Sequence, residues 1–499
     1  MDVKELSIRK DNSITEALVQ LDNTALGVLF VVDESDKLVG VITDGDIRRA
    51  LLQQFSLSDS VQSVMNKNFT SLPVEAESSI ILEHINDKVK VVPLLDENDT
   101  LVDYASINKL RRISVASPLL TGNELAYVTD CIKTNWISSK GKYVKRFEDM
   151  FAQYHDGYHA LAVSNGTVAL HLALLSLNIG NDCEVIVPDL TFAASVNAIL
   201  YTGARPVLVD VEQDSWNIDV KKAEAFITSK TKAIMVVHLY GNPCDMEAIT
   251  LLAEKYNLLI VEDCAEALGS YYKGKPVGIF GDVATFSFFG NKTITTGEGG
   301  MVIFKNPEAA ERAAMLRDHG MKKTRRYWHE EIGYNYRLTN IQAAIGVAQF
   351  ERLKEFVEAK REIAKAYTEA LSTIPYFQTP VEKAEMINSF WLYTFLVKAD
   401  APFNRDQLIQ FLQKKSIETR PVFFPMHLMP PYTSFGNSSD LKISQNISNC
   451  GISLPSSVNL TEVEVNYICN TILELAKSYE LTSSNKILTG GTLALPPKY

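Results

Sequence analysis

A lysine between two strand-like segments is the residue of this sequence with the clearest chemical potential. The apolar run Asp282–Phe289 predicts a strand, a turn rich in threonine and glycine follows, and Met301–Phe304 predicts a second strand. Lys292 stands in that turn. A lysine amine that burial has desolvated is activated to form a Schiff base with an aldehyde cofactor. The alternative is a surface lysine in a hairpin loop, because most lysines are exposed.

Two segments that follow apolar runs offer groups for an anion and for a flat ring. Gly166 and Thr167 open a predicted helix, where free backbone N–H groups and a hydroxyl suit an anion such as phosphate. Phe192 follows the apolar run 184–188, and its ring is placed to stack on a planar cofactor. An ordinary helix N-cap and a core phenylalanine are the alternative interpretations of these two segments.

A carboxylate ends another apolar run. Asp263 stands where the run 258–261 stops, and there it would pair with a pyridinium nitrogen and keep the ring an electron sink. Phosphate cradle, stacking ring, aspartate and lysine follow one another along the chain in this order. Together they are the groups that pyridoxal phosphate needs.

Alternating strands and helices must position these groups. Between residues 114 and 480, short apolar runs are separated by helical stretches, which predicts an α/β fold with a mostly parallel sheet covered on both faces. Ligands of such sheets bind at the carboxyl ends of the strands. The predicted strands are Glu184–Pro188, Pro206–Val211, Ala233–Leu239, Leu258–Asp263 and Asp282–Phe289. The predicted helices include Thr167–Leu177, Phe192–Thr202 and Met246–Tyr256.

Residues 115 to about 478 resemble the DegT/DnrJ/EryC1/StrS family of sugar aminotransferases. The resemblance rests on the motifs described above and on the stretch Gly333-Tyr334-Asn335-Tyr336-Arg337. It implies the fold of the pyridoxal-phosphate-dependent transferases of fold type I, which is that of aspartate aminotransferase. It also implies a cofactor-binding large domain at 114–370 and a smaller α+β domain at 371–480.

The resemblance implies a role for each candidate residue. Lys292 would bind the cofactor covalently and later move the proton, and Asp263 would pair with the ring nitrogen. Glu266 would lie beside the ring hydroxyl, and Phe192 would cover the ring. The residues that would hold the phosphate are Gly166, Thr167 and Ser287.

Asn335 matches a family asparagine that reaches the phosphate of the neighbouring subunit, so the resemblance implies a homodimer or a larger homo-oligomer. Some relatives carry histidine in place of the lysine and are dehydratases. Lys292 therefore favours transamination, with glutamate as the implied amino donor. A dehydratase is one alternative, and a non-catalytic sensor that only binds metabolites is another. A missing lysine or aspartate would favour the sensor, and neither is missing.

Three further segments match family members that aminate a GDP-linked 4-keto-6-deoxy sugar: 136–139, 323–329 and 418–427. Arginine side chains suit pyrophosphate oxygens, and aromatic rings stack on a sugar or a base. The predicted substrate is thus a nucleotide-diphosphate 4-keto-6-deoxy sugar aminated at C4, with the base left open between GDP, UDP and dTDP. A solvated basic loop is the alternative for 323–329. The candidate substrate ligands are Trp136, Ser138, Arg325, Tyr327, His329, Arg420 and His427.

An internal repeat precedes the catalytic part. The segment 32–40 aligns with 95–103, and the copies lie 63 residues apart (96 − 33). Each copy predicts two strands around an acidic turn and a helix that ends in paired arginines, so residues 1–113 resemble a pair of CBS motifs. In that family the residues matching Thr43 and Asp46 hold the phosphate and ribose of a nucleotide.

The second copy of the repeat departs from this pattern. Ser106 and Lys109 stand where the first copy has the threonine and the aspartate. We therefore predict one nucleotide-type ligand per chain, bound at the first copy. The alternative is that the pair serves only for dimerisation.

Composition limits the remaining classes of function. A chain of 499 residues is too long for one compact core, and its formal net charge of −11 opposes a general nucleic-acid binder. The six cysteines show no CxxC pair and no zinc spacing, so we expect no metal site and a reducing compartment. No signal core and no membrane-spanning run is found, and we expect the cytoplasm. Residues 481–499 predict a polar tail.

Overall fold

The computed structural model describes residues 3–24, 26–76, 78–86, 89–106, 109, 112–322 and 324–489. The chain divides into two compact units, residues 1–112 and residues 113–499. In the described part of either unit, no helix combines the length and the apolar character that crossing a bilayer requires.

The N-terminal unit contains two sheets of three strands, with helices beside them. Its described strands are β1 Ser7–Arg9, β2 Val28–Val32, β3 Leu38–Thr43, β4 Leu72–Pro73, β5 Val91–Leu95 and β6 Leu101–Ser106. Its described helices are α1 Ile14–Thr24, α2 Asp44–Leu52 and α3 Ser78–His84.

The two sheets share one topology, so the predicted repeat is present in the structure. In each sheet the first strand pairs parallel with the second, and the second pairs antiparallel with the third. The register of the hairpin shifts between Val31 and Val32 in the first sheet and between Leu94 and Leu95 in the second, at positions equivalent in the repeat. The segment predicted to close the second copy, including Arg111, lies largely outside the described residues.

The turns of the two hairpins are also equivalent. In each turn an aspartate, Asp33 or Asp96, accepts two backbone N–H bonds within the turn through its Oδ1 atom. The turns meet in an antiparallel bridge between Lys37 and Thr100, which are themselves equivalent in the repeat. Because equivalent residues pair with each other, the unit has approximate two-fold symmetry.

The C-terminal unit carries the large sheet. Its strands are β7 His159–Val163, β8 Glu184–Pro188, β9 Arg205–Val209, β10 Thr231–Val237, β11 Leu259–Asp263, β12 Tyr271–Tyr272, β13 Lys275–Pro276, β14 Val283–Ser287, β15 Gly300–Phe304, β16 Phe377–Gln378, β17 Met386–Ile387, β18 Tyr393–Val397, β19 Arg420–Pro421 and β20 Gly451–Leu454. Its helices are α4 Glu124–Lys133, α5 Lys142–Tyr154, α6 Gly166–Ser176, α7 Ala193–Tyr201, α8 Val220–Ala225, α9 Met246–Tyr256, α10 Pro307–Arg317, α11 Asn340–Phe350, α12 Leu353–Leu371, α13 Arg405–Lys414, α14 Lys442–Cys450 and α15 Glu462–Thr489.

Seven strands form the large sheet in the order β7-β15-β14-β11-β10-β8-β9. Strand β15 is antiparallel to both neighbours, and the other pairs are parallel, which confirms the predicted mostly parallel sheet. Both faces are covered, because successive residues of a strand enter different cores. Val302 belongs to one apolar cluster, whereas Met301 and Ile303 belong to another.

A second sheet, in the order β16-β18-β20-β19, packs with helices α12, α13 and α15 around its own apolar cluster. Helix α15 continues to Thr489, so the predicted tail begins inside a helix. The reason lies in the sequence, because no glycine or proline stands between Glu462 and Gly490. Residues 490–499 of that tail lie outside the described residues.

Candidate active site

A cavity of about 620 Å³ lies at the carboxyl ends of strands β8, β11 and β14. The chain turns away from the sheet at these ends, so the side chains that follow each strand converge on one place. The predicted site residues that line the cavity are Gly166, Thr167, Phe192, Asp263, Glu266, Ser287, Lys292 and Arg420.

The first turn of helix α6 forms a cradle with the end of strand β14. A Cβ atom on Gly166 would stand 2.8 Å from the Cβ of Ser287, so only glycine permits this close approach. Asn165 is the N-cap, and its Oδ1 accepts the N–H of Val168 at 3.0 Å. Backbone N–H groups of the first turn and the hydroxyls of Thr167 and Ser287 therefore suit a phosphate.

Asp263 is the last residue of strand β11, and its carboxylate is buried. Ser195 Oγ on helix α7 donates to Oδ2 at 2.8 Å, and the N–H of Ala265 donates to Oδ1 at 3.1 Å. Burial raises the pKa of Asp263, and these hydrogen bonds and the charge of Lys292 oppose the shift only in part. A positively charged N–H, such as that of a pyridinium ring, would stabilise this carboxylate.

Lys292 lies between a carboxylate and an indole ring. Its Nζ is 3.6 Å from Glu266 Oε1 and 3.7 Å from the centroid of the Trp391 ring. Its side chain is only 13% exposed, so the surface-loop alternative is wrong. Burial lowers the pKa of Lys292, and the charges of Glu266 and Asp263 oppose the shift. A lysine with a lowered pKa is the nucleophile that an aldehyde cofactor requires.

Glu266 is fixed from its other side. The N–H of Tyr240 donates to Glu266 Oε2 at 2.9 Å, and burial raises the pKa of Glu266. Phe192 is 59% exposed at the cavity wall, and its ring centroid lies 5.7 Å from that of Phe423. Phe192 is therefore available to cover a planar ring, and the alternative of a core phenylalanine is wrong.

Cradle, buried aspartate and low-pKa lysine together fit pyridoxal phosphate. Sequence reasoning missed three members of this arrangement, which are Ser195, Tyr240 and Trp391. Trp391 precedes the apolar strand β18 and Tyr240 follows the apolar strand β10, so both look like ordinary core aromatics in the sequence. Ser195 lies inside a helix, and nothing in the sequence around it indicates a hydrogen bond to Asp263, which is on a strand.

Of the predicted substrate ligands, Arg420 on β19 lines the cavity. Trp136 and Ser138 are exposed, and their backbone carbonyls accept hydrogen bonds from Asn340. Their role as substrate ligands stays a prediction.

Arg325, Tyr327 and His329 belong to an exposed loop. The Arg325 guanidinium lies 4.2 Å from the Trp328 ring centroid, and His329 Nδ1 donates to the carbonyl of His319 at 2.8 Å. These three residues are outside the lining of the cavity in the described part of this chain. Their role as substrate ligands stays a prediction.

The structure places His427 in the interior. Its Nδ1 is 2.7 Å from Asp189 Oδ2, and its backbone N–H donates to Asp189 Oδ1 at 2.9 Å. Burial raises the pKa of Asp189, and the contact with His427 opposes the shift. In the described chain the residues that line the cavity do not include His427, whose role as a substrate ligand stays a prediction.

Asn335 is exposed, and its Oδ1 accepts a hydrogen bond from Arg337 Nε at 3.1 Å. Among the described residues, those that line the cavity do not include Asn335. Its contact with the phosphate of a neighbouring subunit stays a prediction.

One buried cluster has the composition of a metal site: His238, Glu262 and Cys264. Its carboxylate is already saturated, however. Glu262 accepts hydrogen bonds from His238 Nε2 and from three backbone N–H groups in the segment 278–281. We interpret the cluster as a structural hydrogen-bond network.

The N-terminal candidates stand at the start of helix α2. Thr43 and Asp46 form a capping box, in which Asp46 Oδ2 accepts from both the hydroxyl and the N–H of Thr43. Arg49 donates to the other oxygen, Oδ1, at 2.6 Å. Oδ2 thus accepts two hydrogen bonds and Oδ1 one, so two ribose hydroxyls at Asp46 would compete with at least one of these partners.

Comparisons with known proteins identify families that match parts of this chain. Residues 118–473 match the model of the DegT/DnrJ/EryC1/StrS aminotransferase family, and residues 1–53 match that of the CBS domain. GDP-perosamine synthase of Escherichia coli O157:H7 is 49% identical over 73% of this chain and 99% of that protein. GDP-perosamine synthase of Caulobacter vibrioides is 48% identical, over 72% and 98%. The PLP form of Spr1654 from Streptococcus pneumoniae superposes with a TM-score of 0.70 at 29% identity, covering 74% of this chain and 99% of that one.

Proposed function

Because this chain belongs to the DegT/DnrJ/EryC1/StrS aminotransferase family, which depends on pyridoxal phosphate, we propose that it aminates C4 of GDP-4-keto-6-deoxymannose with glutamate as the donor. The observation that carries the proposal is the buried Lys292, close to Asp263 and Glu266, in a chain whose relatives include GDP-perosamine synthases. Lysine at this position, rather than histidine, favours transamination over dehydration.

Each residue of the site has a role that follows from its position in the cavity. When bound, pyridoxal phosphate supplies an aldehyde that takes up amines and a ring that withdraws electrons. Asp263 would hold the proton on the ring nitrogen, and Glu266 would lie beside the ring hydroxyl. Lys292 would hold the cofactor through Nζ. As a free amine, Lys292 would remove the α-proton of glutamate and later deliver a proton to C4 of the sugar.

The cavity wall suits a sugar nucleotide. Phe192 and Phe423 offer ring faces, and Arg420 offers a guanidinium for a pyrophosphate oxygen. The exposed loop with Arg325 and Tyr327 would complete the site from a second copy of the chain, together with Asn335. The active species is therefore a homodimer or a larger homo-oligomer.

The N-terminal unit binds a nucleotide, and this nucleotide modulates the activity of the enzyme.

The test is incubation of the purified enzyme with glutamate and a panel of GDP-, UDP- and dTDP-linked 4-keto-6-deoxy sugars, followed by mass spectrometry. We expect an aminated product from the GDP sugar. A Lys292→Ala variant in the same assay should give none. Amination of only the UDP or dTDP sugars would contradict the choice of base, and a deoxygenated product without nitrogen would identify a dehydratase.

A further inference from the structure

A second buried lysine lies behind the active-site wall. Lys360 on helix α12 is 4% exposed, and its Nζ donates to the carbonyls of Ser456 at 2.6 Å and Trp391 at 3.1 Å. In the described part of the chain both of its hydrogen-bond acceptors are neutral carbonyls. A lysine is rarely buried in such surroundings without a specific task.

The acceptor Trp391 contacts the catalytic segment at two points. Its Nε1–H donates to the carbonyl of Asn291 at 2.7 Å, and its ring faces the Nζ of Lys292 at 3.7 Å. The ring also stacks on Tyr240 at 6.0 Å and 9°, and the N–H of Tyr240 binds Glu266. The indole of Trp391 is thus one of the two groups beside the Lys292 amine, and through Tyr240 it also contacts the residue that holds the other group, Glu266.

The hydrogen-bond count explains how Lys360 is tolerated. Burial lowers the pKa of Lys360 to about 7, so that the neutral amine is populated in the folded protein. A neutral amine has two N–H bonds, and two carbonyls accept them. Two N–H bonds of Lys360 are therefore enough to hold both carbonyls, and the amine does not need a charge to do so.

We propose that Lys360 is a positioning residue for the reaction, which fixes the backbone of Trp391 and so holds the indole against Lys292 and Asn291. This inference rests on the role of Lys292 given above. Burial is the largest cause of the lowered pKa of Lys292. If the indole moves, water reaches Nζ, and the amine becomes more strongly protonated at a given pH.

The test compares Lys360→Met, which removes both donors and keeps the length, with Lys360→Gln, which retains two N–H bonds. Trp391→Phe keeps an aromatic ring and removes the donor to Asn291. The matched control is Lys398→Met, because Lys398 also donates to a carbonyl, that of Pro375 at 2.7 Å, but on the surface.

The measurement is the rate at which the full-length chain, freed of cofactor, captures pyridoxal phosphate between pH 6 and 10. Its midpoint reports the pKa of the Lys292 amine. We expect Lys360→Met and Trp391→Phe to shift the midpoint to higher pH and to lower kcat by about tenfold to a hundredfold. We expect Lys360→Gln to be closer to wild type and Lys398→Met to equal it.

A folded Lys360→Met protein with the wild-type midpoint would overturn the proposal, because a purely structural lysine would change only stability. If Lys360→Met does not fold, the decision rests on Trp391→Phe, and a wild-type midpoint there would also overturn it. Capture by Lys292→Ala at the wild-type rate would instead show that the assignment of Lys292 is wrong.

Discussion

The acidic motif residues of the two units differ in burial and in hydrogen-bond partners. In the C-terminal unit, Asp263 and Glu266 are buried near Lys292, and burial shifts the pKa of each group toward its neutral form. In the N-terminal unit, Asp46 uses both oxygens within its own helix, one for the capping box and one for Arg49. An acidic motif residue therefore indicates a ligand site most clearly where hydrogen bonds and ion pairs within the protein do not fully compensate the burial of its charge.

The difference follows from where each residue stands. The catalytic groups follow parallel strands whose ends leave a space that local backbone does not fill. Asp46 occupies the first turn of a helix, where free N–H groups attract any nearby carboxylate. The same comparison holds within one strand, because Glu262 and Asp263 are neighbours on β11 with different surroundings.

The largest effect should come from removing the amine. We expect Lys292→Ala to lower turnover by at least about a thousandfold, which corresponds to about 4 kcal/mol in the barrier. Lys292→Arg should be equally inactive, because a guanidinium keeps its charge and cannot attack an aldehyde. Visible absorbance of the isolated protein and borohydride reduction followed by peptide mapping measure the attachment. Lys354→Ala, at a side chain 90% exposed, is the control. Turnover by Lys292→Ala near the wild-type rate would show that Lys292 is not the catalytic amine.

A paired substitution on strand β11 would sharpen the comparison. Asp263→Asn should retain stability but lower turnover by about a hundredfold or more, about 3 kcal/mol, because the ring nitrogen loses its charged partner.

Glu262→Gln should instead cost about 2–4 kcal/mol of stability, because an amide N–H₂ would face backbone donors. Thermal unfolding and steady-state kinetics separate the two variants. Near-normal turnover of Asp263→Asn would contradict the catalytic role of Asp263. An unfolded Asp263→Asn protein beside a stable Glu262→Gln protein would show that Asp263, and not Glu262, is the structural residue.

The buried Lys360 predicts a pH dependence of stability. Its folded pKa of about 7 is below the ordinary value of 10.5, so between these values the unfolded chain binds more protons. Stability should therefore rise with pH in this window, by up to about 1.4 kcal/mol per pH unit, and the contribution should be flat below pH 7. Denaturant titrations at pH 7 and pH 9.5 should show wild type gaining about 2–3 kcal/mol relative to Lys360→Met. If the stabilities of wild type and Lys360→Met changed equally between the two pH values, the lowered pKa of Lys360 would be contradicted.

The sequence predicts much of the large sheet and the cofactor groups, because apolar runs and the residues that end them are both visible in it. The predicted strand Glu184–Pro188 and helix Met246–Tyr256 agree with the structure at both ends. The antiparallel insertion of β15 is not predicted, since a buried strand has the same apolar pattern in either direction.

The surroundings of the site are less visible in the sequence. Trp391 and Tyr240 look like core residues, and His427 looks like a loop residue until the fold brings it to Asp189. Contacts of this kind join distant segments through side chains that no local pattern distinguishes. The same limit applies to Lys360, which looks like one of several lysines on an amphipathic helix.

The smallest effect concerns the N-terminal unit. If Asp46 accepts ribose hydroxyls, the ion pair with Arg49 competes with the nucleotide for Oδ1. The Arg49 side chain is 68% exposed and that of Asp46 only 16%, so water reaches the pair from the arginine side, and we expect the pair to contribute about 1 kcal/mol. We expect Arg49→Ala to bind purine nucleotides up to about fivefold more tightly, and calorimetry with GDP and AMP on the full-length chain measures it.

The controls separate binding from helix capping. Asp46→Ala should lose nucleotide binding and about 1 kcal/mol of stability, because it removes both the ribose acceptor and half of the capping box. Lys109→Ala, at the equivalent position of the second copy, should leave affinity unchanged. Weaker binding by Arg49→Ala would mean that the guanidinium contacts the ligand and does not compete with it. If no nucleotide binds, or if Asp46→Ala binds as wild type does, the closed capping box is the whole role of these residues, and the repeat is better interpreted as a dimerisation element.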